Sequence, residues 1–254
     1  MTKPAVAAKR PGRRPGRPSG STGMDKATVI SVALQLTRTV ALSEVSVVLV
    51  ARELGVAPAL IHYYLGGRDP LTSGVMNAFW RSVVDGWPLE VGDWVRDLEV
   101  VAEALYRALL RYPGIASYVI SQNKFRVLQD VADDEIDYGM LFLEKFTTTV
   151  RRAGFDPMHT GVYAHLMLEL VTSYAHATVS RRWPGQHSDY LKQRIDKLDP
   201  ATHPSMYYVR DTLTGLNGSE AFAVGLRLML NALEGELRRR SAQQAPQGAA
   251  LARR

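Results

Sequence analysis

The sequence predicts an all-α fold with an N-terminal helix-turn-helix domain followed by a larger C-terminal helical domain. Apolar residues recur at helical spacing from about residue 25 nearly to the end of the chain. No stretch alternates polar and apolar residues between hairpin turns. Several segments also carry helix-end signals, such as an acidic or hydroxyl residue before the first turn or a glycine after the last. Together these observations favour helices and exclude a sheet-based architecture.

The helix ends of the first 90 residues can be assigned one by one. The predicted helices are Met24 to about Thr39 with Asp25 as cap, Val47 to Leu54 between Ser46 and Gly55, a short helix from Pro58 to the Gly66-Gly67 pair, and a helix from Asp69-Pro70 towards Trp87. Each assignment rests on a residue that can satisfy the free N–H groups of a first turn, or on a glycine that can end a last turn.

The helix ends after residue 90 can be assigned by the same signals. The predicted helices are Asp93 to Arg111 halted by Pro113, a helix with acidic residues 133–135 at its start and Arg151-Arg152 at its end, Asp156-Pro157 to about Arg182, two short helices within residues 188–213, and Ser219 to about Arg240. Residues 1–24 and 241–254 lack a hydrophobic period and are predicted to be disordered.

Composition narrows the class of protein. The 254 residues are 46% hydrophobic, which suffices for a sizeable core, and the chain contains no cysteine. Disulfides, thiolate nucleophiles and cysteine-ligated metals are therefore excluded. A reducing cytoplasm is the simplest compartment for a chain without cysteine, so we expect a cytoplasmic protein. No uncharged apolar run reaches the roughly 18–20 residues of a membrane span, and no membrane association is expected.

The net charge of +6 is concentrated at the N-terminus. Six cations and no acid lie in the first 24 residues, and the remainder holds 25 basic against 25 acidic residues. A basic arm on a neutral body predicts a polyanionic partner. Because the arm has no apolar anchor, nucleic acid is favoured over a membrane surface.

Residues 46–64, SVVLVARELGVAPALIHYY, have the pattern of a helix-turn-helix. Two short helices flank a tight turn at Gly55, and Ala51 is small where the helices must cross closely. Such a unit projects its second helix into the major groove of DNA. The alternative is an ordinary helical hairpin.

The stretch from about Asp25 to Phe79 resembles the TetR family of transcriptional repressors. VISVALQL resembles that family's first helix, SVVLVARELGV its second helix and turn, and APALIHYYLGGRDPL its recognition helix and the start of its fourth helix. The resemblance implies a DNA-binding head on a helical domain that binds a ligand and forms a dimer.

The resemblance implies roles for individual positions of this sequence. The resemblance implies that Ser46 caps the second helix and touches phosphate, and that Arg68 binds the DNA backbone. The small side chains that begin the recognition helix offer methyl groups suited to thymine. The full set of expected DNA-contacting residues is Arg13, Arg14, Arg17, Ser46, Arg52, Ala57, Pro58, Ala59, His62, Tyr63 and Arg68. Tyr64 is expected to be more buried than Tyr63.

The arm contains Arg-Pro-Gly-Arg-Pro, which is similar to an AT-hook. Such a segment lays arginine into a narrow minor groove, where the negative potential is enhanced. The alternative is a tail that binds phosphate without sequence preference.

Two helices of the C-terminal part are predicted to form a dimer interface. The helix after Pro157 has an apolar face wide enough for two contacts, and the last helix pairs an apolar stripe with small residues. The expected interface residues are Leu170, Tyr174, Ala221, Gly225, Leu228 and Ala232. The alternative is packing within one chain.

Aromatic residues and methionines between Trp80 and Tyr174 are plentiful enough to line a cavity for a small, mostly apolar effector. The candidate pocket residues are Tyr106, Gln122, Asn123, Tyr138, Phe142, Phe146, Tyr163 and Met167. The alternative for each is an ordinary place in the core.

Catalytic and metal-binding patterns are weak. His165 and Glu169 are four apart on a helix, but a solvated or interfacial strip explains them better than a metal, so no metal site and no cofactor are predicted. No phosphate-binding glycine loop, nucleophile elbow or zinc-protease motif occurs, which speaks against an enzyme.

The resulting prediction is a homodimeric, ligand-responsive DNA-binding regulator, a repressor released from an approximately palindromic double-stranded operator by a small molecule. Its domains are a basic arm (1–24), a helix-turn-helix domain (25–70), a ligand-binding and dimerisation domain (71–240) and a tail (241–254). The alternatives are a constitutive or architectural DNA-binding protein without ligand control and, second, a helical enzyme.

Overall fold

Every regular element that the structure describes is helical. The structure is a computed structural model that describes residues 24–121, 131–132 and 134–251, with side chains described as far as residue 242. These ranges contain eleven α-helices and two short 3-10 turns. The predicted all-α fold is confirmed.

Four helices build the N-terminal head and its connection to the body. Helices α1 (Lys26–Leu36), α2 (Val47–Leu54) and α3 (Pro58–Leu65) form the head, and α4 (Arg68–Asp85) leads out of it. The predicted bounds of α2 and α3 are confirmed. Helix α4 packs against both α1 and α7 (Tyr138–Arg151), so it joins the head to the body.

Side chains cap α1 and α2 as the sequence predicts. The Asp25 carboxylate accepts a hydrogen bond from the backbone N–H of Thr28 at 2.7 Å. This bond holds the pKa of Asp25 below its ordinary value. The Ser46 hydroxyl accepts from the backbone N–H of Leu49 at 3.2 Å. Each cap satisfies an N–H that the helix itself leaves without a partner.

The start of α4 differs from the prediction. Gly67 is its N-cap, and Asp69, expected to be the cap, lies within the first turn. The acidic side chain still lies where the helix dipole favours negative charge.

Seven further helices make up the described part of the body. They are α5 (Trp94–Arg111), α6 (Pro113–Ser121), α7, α8 (Pro157–Val179), α9 (Ser188–Ile195), α10 (Pro204–Gly215) and α11 (Gly218–Leu251). Helix α8 is central and packs against α5, α6, α7 and α11. Helices α9 and α10, the predicted short pair, pack against each other and against the 3-10 turn Pro184–His187.

Three features of the body differ from the predictions. Helix α5 ends at Arg111, before Pro113, as predicted, but Pro113 then opens a further helix, α6, that was not predicted, because proline is tolerated in a first turn. Asp137 caps α7, so the acidic residues before it precede the helix. Helix α11 continues over residues 241–251, where a disordered tail was predicted; extending an existing helix is easier than nucleating one.

A glycine permits α6 to dock against the head. The backbone N–H of Gly114 donates to the Thr37 carbonyl at 2.8 Å. A Cβ at Gly114 would lie 2.0 Å from the carbonyl oxygen of Val40. The contact is between backbones and cannot be relieved by turning a side chain.

Gly114→Ala is therefore expected to lower the free energy of unfolding by about 1–3 kcal/mol, through forced separation of α6 from the segment after α1. Urea unfolding measures the loss. Gly215→Ala is the matched control, since nothing lies within 4 Å of a Cβ there. Equal midpoints for both variants would contradict this account of the joint.

Candidate nucleic-acid interface

A left-handed turn at Gly55 and the close packing of α2 against α3 fix the angle between these two helices. Gly55 has φ 67°, in the region that glycine adopts without strain. The backbone N–H of Val56 donates to the Ala51 carbonyl at 2.9 Å. Val50, Ala51 and Ile61 are buried at the crossing. The helices are bent by 115° to each other, and α3 is fixed on a rigid base.

Helix α3 turns its predicted DNA-contacting residues outward. Ala57, Pro58, Ala59 and His62 are exposed, and the Tyr63 side chain is 81% exposed. The inner side of the helix packs with Ile61 and Leu65 in the core. The outer face therefore presents methyl groups, an imidazole and a phenol to any molecule that lies along it.

The two tyrosines of α3 divide as predicted. Tyr64 is half-buried and packs against the core, whereas Tyr63 is exposed. Their rings meet edge to face with centroids 5.3 Å apart. Tyr64 thus supports the orientation of Tyr63, whose hydroxyl remains free to reach solvent or phosphate.

Two cations flank α3. Arg52 is exposed on α2. Arg68 is exposed at the start of α4, and its guanidinium donates to the Ser43 carbonyl. A guanidinium has five N–H donors, so this bond orients Arg68 without exhausting it.

Sequence reasoning missed Val48, which is 65% exposed in the first turn of α2. Its neighbours Val47 and Val50 are buried. The helical spacing of the buried residues already placed Val48 on the outer side. An exposed apolar residue next to the Ser46 cap belongs to the same surface as α3.

The basic arm lies outside the described residues, and so do Arg13, Arg14 and Arg17. Its point of departure, however, is described. Lys26, two residues after Met24, lines a cavity of about 420 Å³ together with Asp69 and Pro70. The arm is therefore rooted beside the start of α4, where Asp69 directly follows Arg68 in the sequence.

The predicted pocket residues do not all come together. Phe142 and Phe146 are fully buried with ring centroids 5.7 Å apart. The Tyr106 hydroxyl lies 3.1 Å from Thr178 Oγ1 near the end of α8, whereas Tyr163 packs on Phe155 near its start.

Residues 163 and 178 are about 22 Å apart along α8 at a rise of about 1.5 Å per residue. The prediction that one small pocket contains both Tyr106 and Tyr163 is therefore wrong. Tyr106 also stacks on Phe222 at 3.9 Å, as an ordinary core residue. Met167 is fully buried, and Gln122 and Asn123 lie outside the described residues.

Two tryptophans that the prediction left out join the aromatic cluster around Phe142. The Trp80 ring stacks on Phe142 with centroids 4.4 Å apart, and Trp87 meets the same ring edge-on at 6.1 Å. Lys145 Nζ lies 5.2 Å from the centroid of the Trp87 ring. Both tryptophans were visible in the sequence near the end of α4, but only folding brings them to α7.

An open groove of about 540 Å³ lies elsewhere, between α1, α4 and the residues before α7. Of the predicted pocket residues, Tyr138 lines it. Asn77 on α4 joins that helix to the residues before α7. The side-chain N–H of Asn77 donates to the Ile136 carbonyl at 2.9 Å, and the side-chain oxygen accepts from the backbone N–H of Tyr138 at 2.9 Å. Lys26 pairs with Glu135 at the same groove.

Apolar side chains lie exposed along α8 and α11, which pack on each other. The most exposed are Met158 at 62%, Val162 at 46%, Leu166 at 44%, Val224 at 45% and Leu228 at 63%. We call these five the α8–α11 strip. His165 and Glu169 lie on the same side of α8 as an exposed pair 3.9 Å apart.

The predicted interface residues divide into two groups. Leu228 and Ala232 are exposed, whereas Leu170, Tyr174, Ala221 and Gly225 are half-buried. A Cβ on Gly225 would lie 3.0 Å from the Tyr174 hydroxyl of the same chain. The small residue at 225 is thus explained by packing within one chain.

Among the described residues, no single helix is long and apolar enough to cross a membrane; α2 and α3 reach that length only when counted as one bent pair. Nor do three or more His, Asp or Glu side chains of the described ranges cluster as metal ligands do.

Comparison with known proteins identifies the class. The family model for the tetracyclin repressor-like C-terminal domain matches residues 88–237, which is more than half of the chain. The chain belongs to the TetR family. Members of the TetR family are DNA-binding transcriptional regulators and not enzymes, and this chain is such a regulator.

Solved structures share the TetR fold. Streptomyces coelicolor ActR in complex with (S)-DNPA aligns with a TM-score of 0.69 at 21% identity, covering 84% of this chain and 98% of that one. ActR in complex with actinorhodin gives 0.69 at 20%, covering 85% and 97%. The S. coelicolor TetR protein SCO7222 gives 0.64 at 20%, covering 83% and 97%. A search of curated proteins found no match.

Proposed function

We propose that this chain is a homodimeric repressor that reads a roughly palindromic operator through α3 and leaves it when a small molecule binds the C-terminal domain. The observation that carries the proposal is the outer face of α3. It presents Ala57, Ala59 and Tyr63 to solvent between the exposed cations Arg52 and Arg68.

Different side chains of this surface are suited to contact the bases and the phosphates of DNA. The methyl groups of Ala57, Pro58 and Ala59 are suited to thymine methyls in the major groove. Arg52, Tyr63 and Arg68, with the Ser46 hydroxyl, are suited to phosphates, which position a protein without reading sequence. The base contacts then come from the first turn of α3, as in other helix-turn-helix proteins.

The α8–α11 strip supports a dimer. Five apolar side chains, each at least 44% exposed, follow two adjacent helices. A two-fold axis through such a strip would place the same surface of each copy against the other and form a four-helix bundle. One short recognition helix contacts few base pairs, and a dimer doubles the sequence that is read.

Effector control is supported by the aromatic core between α4 and α7. Helix α4 carries Phe79 and Trp80 into this core and also packs on α1 of the head. The structural relative ActR has been solved with actinorhodin and with (S)-DNPA. A ligand in the core of this chain would release DNA only by preferring a conformation whose heads do not fit the operator.

Arg68→Ala and Tyr63→Phe are expected to weaken operator and random DNA by the same factor, because both side chains are assigned to phosphates. Loss of the charged contact should reduce affinity by about 1.5–3 kcal/mol, and loss of the hydroxyl by about 0.5–1.5 kcal/mol. Fluorescence anisotropy with both kinds of duplex measures the two losses. A change in base preference at one operator position would contradict the phosphate assignment.

Selection from random duplex DNA tests the proposed function. Rounds of binding and amplification should enrich an inverted repeat whose half-site centres are about 34–36 Å apart, or a multiple of that distance. Enrichment of a single asymmetric site, or of no sequence, would overturn the proposal of a dimeric operator-binding protein. A protein whose operator affinity never changes with any small molecule would instead be a constitutive DNA-binding protein.

A further inference from the structure

Two buried indole N–H groups have no acceptor within the part of the chain that the structure describes. Nε1 of Trp80 and Nε1 of Trp87 are shielded from solvent and have no hydrogen-bond partner among the described residues. Trp80 is only 3% exposed. The indole N–H of Trp183, by contrast, donates to Thr178 Oγ1 at 2.9 Å. Buried tryptophan N–H groups ordinarily find a partner, so two orphans in one cluster require an explanation.

Both orphaned donors belong to rings that contact Phe142. Trp80 stacks on Phe142 at an interplanar angle of 24°, and Trp87 meets it at 67°. Phe142 is fully buried and also contacts Phe146. The Phe142 ring therefore lies flat against the Trp80 indole and edge to face with the Trp87 indole, and it brings no polar atom to either of them.

A planar aromatic ring in the place of Phe142 would stack on Trp80 in the same way. A carbonyl oxygen attached to that ring would supply an acceptor for an indole N–H that has no partner among the described residues. The ammonium of Lys145, 5.2 Å from the Trp87 ring centroid, adds positive potential that favours an electron-rich oxygen.

We infer that the effector is a flat aromatic ketone or quinone that displaces the Phe142 ring and accepts a hydrogen bond from Trp80, Trp87 or both. The inference rests on the proposed effector control and specifies its chemistry. In the absence of the effector, the Phe142 ring fills the same space and keeps the site closed.

A matched pair of probes tests the carbonyl. 1-Acetonaphthone and 1-ethylnaphthalene have the same ring and similar volume, but only the ketone has an acceptor. Binding is followed by tryptophan fluorescence in a Trp94→Phe, Trp183→Phe background, where the emission comes from Trp80 and Trp87. The ketone is expected to bind about tenfold more tightly than the hydrocarbon.

Substitutions show which side chains are responsible for the preference for the ketone over the hydrocarbon. In this background, Trp80→Phe or Trp87→Phe should reduce the ketone's advantage. The control is the Trp94→Phe protein that retains Trp183, whose N–H is already paired with Thr178; it should show the same advantage as the background itself. Phe142→Ala should open the space and strengthen binding of both probes while the ketone keeps its advantage. This variant also detects the site if wild-type closure makes binding too weak to measure.

The inference fails if both probes bind Phe142→Ala equally, if neither binds it, or if the ketone's advantage survives in both tryptophan variants. Operator binding is measured without probe, so none of these results contradicts the proposed DNA-binding function. Probe binding that leaves operator affinity unchanged would uphold the inferred site and contradict effector control.

Discussion

Leu228→Arg is expected to convert the dimer into a monomer and to lower operator affinity at least about a hundredfold, because the two heads are then no longer joined. Leu228 is 63% exposed and lies in the α8–α11 strip. Across a two-fold interface one substitution brings two guanidinium groups into apolar surroundings without partners. Each monomer should keep its helices, since most of the Leu228 side chain is exposed within its own chain.

Sedimentation velocity gives the oligomeric state, circular dichroism the helical content, and anisotropy the operator affinity. The control is Leu89→Arg, which alters an apolar residue 94% exposed between α4 and α5, away from the strip. It should leave dimer and affinity intact. A Leu228→Arg protein that stays dimeric and binds normally would refute the placement of the interface.

Removal of residues 1–23 is expected to have the next largest effect, on the salt dependence of DNA binding. The segment carries six cations and no acid. If three of them meet phosphate, the slope of log affinity against log salt concentration should fall by about 2.7. Arg17 is seven residues from Met24 and, at about 3.3–3.6 Å per residue, can reach about 25 Å from the root of the arm beside α4.

A charge-preserving variant separates the two expected roles of the arm. Replacing Arg13, Arg14 and Arg17 by lysine keeps the cations for phosphate, but removes the guanidinium groups. Plain phosphate binding predicts an unchanged slope and unchanged affinity on any flanking sequence. Minor-groove insertion predicts an affinity loss that is confined to operators with A·T-rich flanks. A slope that does not change after deletion would rule out both roles.

The head was predictable because its signals are local. Asp25, Ser46, Gly55 and the glycines after α3 each act within a few residues of their position in the sequence. The outward direction of Ala57 and Tyr63 then follows from helical spacing once Ile61 is assigned to the core. Helix α6 was missed for a local reason as well: Pro113 was interpreted only as the end of α5, which is confirmed, although it also suits the first turn of a new helix.

The body was less predictable because its contacts join distant residues. Nothing near Tyr106 in the sequence indicates that its hydroxyl meets Thr178, or that its ring stacks on Phe222. The small residue at 225 makes room for the Tyr174 hydroxyl of the same chain, a contact between two helices that the local sequence does not indicate. The orphaned N–H groups of Trp80 and Trp87 likewise exist only once α4 and α7 have packed around Phe142.

Thymine methyl groups give the most direct test of the central claim, that two copies of α3 read the two halves of an operator. In the selected operator, each thymine is replaced in turn by deoxyuridine, which removes only the C5-methyl group. The account predicts affinity losses at symmetry-related thymines in both half-sites, through contacts with Ala57, Pro58 and Ala59. Losses confined to one half-site, or no loss at any thymine, would contradict it.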